Sequence, residues 1–115
     1  MIKRDFLSLL DFSSDELKYV IERAKTLRKQ HENNGMYQPL VGKTGALILT
    51  MSSTRTRVAF EAGFAQMGAK VIFLSPGDTQ IGRGEPLEDL ARVLSEMVDI
   101  IMIRTASQQD IETLA

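Results

Sequence analysis

Three short apolar runs, residues 44–50, 70–74 and 100–103, alternate along the chain with segments whose apolar residues recur at helical spacing. That alternation restricts the fold more than any single residue does. Runs this short and this apolar suit strands buried on both faces, and such strands belong to parallel sheets joined by helical crossovers. The order α-β-α-β-α-β-α predicts an α/β fold of three layers, αβα, around a parallel sheet with right-handed connections. Residues 1–115 read as one domain, with no repeat, low-complexity tract or internal linker.

The helices have distinct signatures. Ser13-Ser14-Asp15-Glu16 has capping-box spacing, with Phe12 and Leu17 placed as a hydrophobic staple. Leu17, Val20, Ile21, Ala24 and Leu27 then form one face as far as Gln30, opposite a solvated face of Lys18, Glu22, Arg23, Lys25 and Lys29. From His31 to Leu40 the chain reads as a loop, because it contains Asn33-Asn34-Gly35 and Pro39. A second helix is predicted from Val58 to Met67, with Phe60, Phe64 and Met67 on one face and Gly68 as its stop. The third, Leu87 to Met97, places Leu87, Leu90, Ala91, Leu94 and Met97 at core spacing, and a fourth opens at Ser107-Gln108-Gln109-Asp110. Between them, residues 75–86 form a long loop with three glycines and two prolines, and loops of that length in compact domains are commonly functional.

Immediately after the first strand comes Ser52-Ser53-Thr54-Arg55-Thr56-Arg57. A strand feeding a helix through hydroxyl residues and arginines is a place to hold an anion. The first helical N–H groups lack intrahelical partners and carry the positive end of the macrodipole, while guanidinium forks fit phosphate oxygens in pairs. The same residues also admit a plainer reading, as an ordinary N-cap with arginines solvated or paired to Glu61. In parallel sheets ligands bind at the carboxyl ends of the strands. There this turn, the glycine-rich loop and Arg104 converge, which favours a phosphate-bearing ligand. Gly42-Lys43-Thr44 is a decoy for a P-loop, since it precedes its strand.

Charge and composition narrow the partners. The net charge is −1, so no basic field suggests nucleic acid or an anionic membrane, and any anion site must be local. Without cysteine there is neither a disulfide framework nor a thiolate metal site. No apolar run approaches a membrane span and the first residues do not lead into a signal-peptide core, so a cytoplasmic protein is expected.

Ser53-Thr54-Arg55-Thr56-Arg57 resembles the carbamoyl-phosphate signature of the transcarbamoylases, at the same strand-to-helix position. Phe6-Leu7-Ser8-Leu9-Leu10-Asp11-Phe12 resembles the start of ornithine carbamoyltransferases; Gln80-Ile81-Gly82-Arg83-Gly84-Glu85, Ala91-Arg92-Val93-Leu94 and Ile103-Arg104-Thr105 resemble later segments, in order. The resemblance covers essentially the whole chain. It implies the amino-terminal carbamoyl-phosphate domain of a family that joins carbamoyl phosphate and L-ornithine into L-citrulline and phosphate, in arginine metabolism. Ser53, Thr54, Arg55 and Thr56 then bind the phosphate, Arg55 also stabilises charge as phosphate leaves, and Arg104 reaches the carbamoyl carbonyl or the phosphate. Gln80 reaches a neighbouring subunit's site, because the family is built on catalytic trimers. Arg57 has a supporting role, paired with Glu61 or Glu85. The resemblance implies no metal and no organic cofactor.

Aspartate enzymes are similar at the signature but carry a lysine in the loop, and here no lysine falls between Ser75 and Ala115. Met51-Ser52 departs from the family, where a lysine or glutamate and a proline are common. Family members are also much longer: this chain stops before the His-Pro-x-Gln segment and the domain that contacts ornithine, so by itself it is expected to be inactive. Transfer to aspartate or another amino acid, a non-catalytic phosphate-binding fragment, or a plain structural βαβ unit are the alternatives.

Overall fold

A computed structural model describes residues 4–33, 37–51, 53–75 and 87–115. The chain divides into two compact units, Met1–Tyr37 with Ala115, and Gln38–Leu114.

In the first unit, helix α1 spans Ser14–Asn33 after a 3-10 turn at Leu9–Asp11. Its capping box forms as the spacing predicts: the Glu16 N–H donates to Ser13 Oγ at 3.1 Å, and the Ser13 N–H donates to Glu16 Oε1 at 2.9 Å. Arg4 Nη2 donates to the same Oε1 at 2.8 Å, and its guanidinium lies 4.3 Å over the Phe12 ring. Phe12, placed in the sequence as a staple for Leu17, has its ring 4.6 Å from that of Phe6. The helix runs beyond Gln30, so His31 lies in its last turn rather than in a loop. The Arg28–Glu32 pair, at 3.0 Å and one turn apart, favours that extension. No α1 side chain is buried: Leu17 and Leu27 are half-buried, and Val20 and Ile21 are 48% and 57% exposed. Periodicity identifies which face is apolar, but a face is buried only where another element covers it.

In the second unit the order is β1 (Thr44–Leu49), α2 (Thr54–Gln66), β2 (Lys70–Leu74), α3 (Leu87–Met97), β3 (Ile100–Arg104) and α4 (Gln108–Leu114). The strands form one parallel sheet in the order β2-β1-β3, so the α/β architecture read from the sequence is present. With a strand on each side, β1 is the core, and Ala46, Leu47 and Ile48 have no exposed surface. A Cβ on Gly45 would lie 3.0 Å from the Phe64 ring, so Gly45, Leu47 and Leu49 face α2. Leu47 packs there with Phe64 and Ala69, flanked in register by Phe73 on β2 and Met102 on β3. The path from β1 out to β2 and back across to β3 requires α2 and α3 on opposite faces if both crossovers are right-handed. On α3, Ala91 and Leu94 are buried as the spacing predicts, but Met97, its last residue, is 74% exposed.

The ends of α2 place the site. It stops where expected: Gly68 has φ +94° and its N–H donates to the Ala65 carbonyl at 3.1 Å. It starts earlier than expected, at Thr54 rather than Val58. Ser53 takes the extended N-cap conformation, and the Arg57 N–H makes the first backbone helical bond, to the Ser53 carbonyl at 3.1 Å. The Thr-Arg-Thr-Arg run is therefore the first turn of the helix, a consequence of serine's strength as a cap. At the opposite end of β1, Gly42 turns the chain and the Thr44 N–H donates to Asp99 Oδ2 at 2.8 Å, so the Gly42-Lys43-Thr44 triplet lies far from that turn along the strand.

Candidate functional site

The carboxyl ends of β1 and β3 and the first turn of α2 meet at one point. In the β1–β3 register Leu49 pairs with Arg104, so Arg104 emerges on the face that carries α2. Its main chain is fixed by Thr50, whose N–H and Oγ1 both donate to the Arg104 carbonyl, at 3.0 and 3.1 Å. Its side chain reaches across: Nη1 donates to Ser53 Oγ at 2.9 Å and to Thr56 Oγ1 at 2.8 Å. Ser53 Oγ donates to Thr56 Oγ1 at 2.8 Å and accepts from the Thr56 N–H at 3.4 Å.

This network leaves defined groups for a ligand. Thr56 Oγ1 already accepts twice, so its own proton is a donor, and Arg104 Nε and Nη2 donate to no described residue. The N–H groups of Thr54 and Arg55 precede the first helical bond and are orphan donors. Arg55 is exposed and makes no ion pair with a described residue. The paired reading holds for Arg57 instead: its Nε donates to Glu61 Oε2 at 3.3 Å, and its guanidinium lies 3.7 Å over the Phe73 ring. An open cleft of about 350 Å³ adjoins the turn, lined by Leu49, Thr50, Met51, Thr54, Arg57 and Phe73 among others.

The helix starts differ in the sign of the charges in their first turns. The first turns of α1, α3 and α4 carry Asp15 and Glu16, Glu88 and Asp89, and Asp110. That of α2 has no acidic residue and holds Arg55 and Arg57, with Arg104 against it. Cations at the positive end of a helix dipole are unfavourable, and an anion relieves that.

Of the residues singled out from sequence, Ser53, Thr56 and Arg104 are joined directly, and Thr54 and Arg55 lie in the same turn. Gln80, Glu85 and Ser52 lie outside the described residues. Thr50 and Phe73 were missed. Thr50 ends the first apolar run opposite the third, and a parallel register could have marked it; Phe73 needed knowledge of the side of α2 to which Arg57 turns. Among the described residues no group of three His, Cys, Asp or Glu side chains could hold a metal, and no helix is long and apolar enough to cross a membrane.

The fold is a three-stranded parallel α/β unit with a cationic helix start at its strand ends, and comparison with known proteins shows its family. Residues 4–115 match the family described as aspartate/ornithine carbamoyltransferase, carbamoyl-P binding domain, and the chain belongs to that family. It is 56% identical over all 115 residues to an ornithine carbamoyltransferase of Psychrobacter arcticus, covering 38% of that protein. Among solved structures, the ornithine carbamoyltransferase of Burkholderia thailandensis superposes with a TM-score of 0.90 at 49% identity, over 97% of this chain and 39% of that one. That of Pyrococcus furiosus gives 0.91 at 40% identity, over 96% and 36%. The chain thus spans well under half the length of the curated relatives it matches.

Proposed function

We propose that this chain is the carbamoyl-phosphate-binding part of an ornithine carbamoyltransferase, with residues 1–115 acting as one binding domain. The observation that carries this is the acid-free first turn of α2, where Arg55, Arg57 and Arg104 gather at the positive end of the helix. The phosphate of carbamoyl phosphate sits on the Thr54 and Arg55 N–H groups and the hydroxyls of Thr54 and Thr56, with Arg55 supplying charge; Ser53, whose one hydroxyl proton goes to Thr56, holds that hydroxyl in place. Arg104 directs its free N–H groups at the carbamoyl carbonyl or a bridging oxygen. The ornithine amine attacks the carbamoyl carbon, charge grows on the carbonyl oxygen, and the C–O bond to phosphate breaks with its electron pair leaving on phosphate. Donors fixed where that charge develops lower the barrier without a covalent intermediate. The amine's proton leaves with the products.

Gln80 completes a neighbouring subunit's site in a cytoplasmic homotrimer; the family resemblance supports this, and gel filtration tests it. The 115-residue chain alone is expected to form no citrulline. The test of the binding role is a calorimetric titration with carbamoyl phosphate against inorganic phosphate, on the wild-type chain and Arg55→Ala. Saturable binding that prefers carbamoyl phosphate and disappears in the variant is the expected result. No binding by a folded wild-type chain contradicts the reading.

A further inference from the structure

The first turn of α2 is fastened to the sheet from both sides of β1. On the β3 side Arg104 grips Ser53 and Thr56. On the β2 side the Arg57 guanidinium lies on the face of Phe73 at 3.7 Å, and Phe73 is in register with Leu47 at the centre of the core. Arg57 Nε is committed to Glu61, which fixes the plane of the guanidinium relative to its own helix. A planar cation lying on a ring and held by Nε has little freedom, and a lysine cannot reproduce that contact.

We propose that Arg57 is a positioning residue for the bound carbamoyl phosphate, acting with Phe73 to set the rotation of the first turn of α2 over the sheet. The proposal rests on the carbamoyl-phosphate reading above. Arg55 lies two residues before Arg57, about 200° around the helix, so fastening Arg57 towards β2 turns Arg55 away from it. The Arg104 contact alone leaves the turn free to roll about its attachment to β3. With both contacts made, the orphan N–H groups and the Thr56 hydroxyl are aimed before any ligand arrives.

The test uses Arg57→Lys, Phe73→Leu and the double variant, each titrated with carbamoyl phosphate and followed by amide hydrogen exchange without ligand. Each single change is expected to weaken binding about fivefold, the size of one exposed cation–π contact. The double variant binds no more weakly than the weaker single one, because both remove the same contact. Exchange at the Thr56 and Arg57 amides, the two in this turn that are hydrogen-bonded, accelerates by a similar factor while the rest of α2 is unchanged. Wild-type affinity in Arg57→Lys would mean that only the charge matters and would overturn the proposal, as would wild-type affinity in Phe73→Leu or additive losses in the double variant. If the wild-type chain binds no carbamoyl phosphate, the functional reading fails. The exchange arm still decides the fastening, and unchanged exchange at the Thr56 and Arg57 amides in both single variants overturns it.

Discussion

The starts of α1 and α2 are built from the same cap and differ in the charges set beside it. Ser13 and Ser53 each accept the N–H of the residue three positions on. At α1 that residue is Glu16, whose carboxylate returns a bond to Ser13 and takes another from Arg4, so the positive end of the helix is neutralised by the chain itself. At α2 it is Thr56, and the neighbouring charges are guanidinium groups. One helix start is finished as folded; the other carries positive charge that an external anion can complete. A serine cap therefore says little about function until the sign of the charges around it is known.

The largest expected effect removes the platform under the second start. Leu47→Ala opens a cavity in the centre of β1's α2-facing side and should cost about 2–5 kcal/mol in denaturant unfolding of the second unit. A smaller but more specific effect comes from Arg104→Ala, which removes charge-assisted bonds to Ser53 and Thr56. By calorimetry it should weaken carbamoyl phosphate binding about ten- to a hundredfold. The comparison can be inverted with Thr56→Glu, which gives α2 the capping box of α1. It should stabilise α2 by about 0.5–1 kcal/mol while lowering carbamoyl phosphate affinity more than tenfold. Equal affinity in that variant would mean the charge of the turn is irrelevant.

At α1 the effects stay structural. Ser13→Ala should cost about 1 kcal/mol of helix stability by thermal melting and leave ligand affinity unchanged. The last effect is confined to acid. The Arg4 bond, and behind it the Ser13 N–H, hold the Glu16 carboxyl down from its ordinary 4.5 to about 2. Because the folded value is the lower one, this contact supports the helix above pH 4.5 and is lost as pH falls towards 2. An NMR titration of the Glu16 carboxyl checks it, and Arg4→Ala should return the midpoint towards the ordinary value.

The legibility of these features in sequence depended on the range of the interactions behind them. Strands β1 and β2, helix α3 and the Gly68 stop are set by local patterns, and each stands at or within a residue of its expected place. The capping box of α1 is equally local. The exposure of Val20 and Ile21 was not legible, because burial depends on a second surface that periodicity does not specify. At the site, the residue types at 53–57 and 104 pointed to an anion. The bonds from Arg104 to Ser53 and Thr56 depend on the pairing of Leu49 with Arg104, a sheet register between strands about fifty residues apart. The N-cap reading of these residues is the one that forms, and the start of α2 at Thr54 rather than Val58 follows from it, because Ser53 as the cap makes Thr-Arg-Thr-Arg the first turn.

On this reading the open start of α2 receives the anion and the closed start of α1 does not. Backbone amide NMR of the chain during addition of carbamoyl phosphate tests it directly. Saturable shifts concentrated at residues 53–57 and at Arg104, with residues 13–16 unmoved, are expected. Shifts that spare 53–57, or that fall equally on both helix starts, would contradict it.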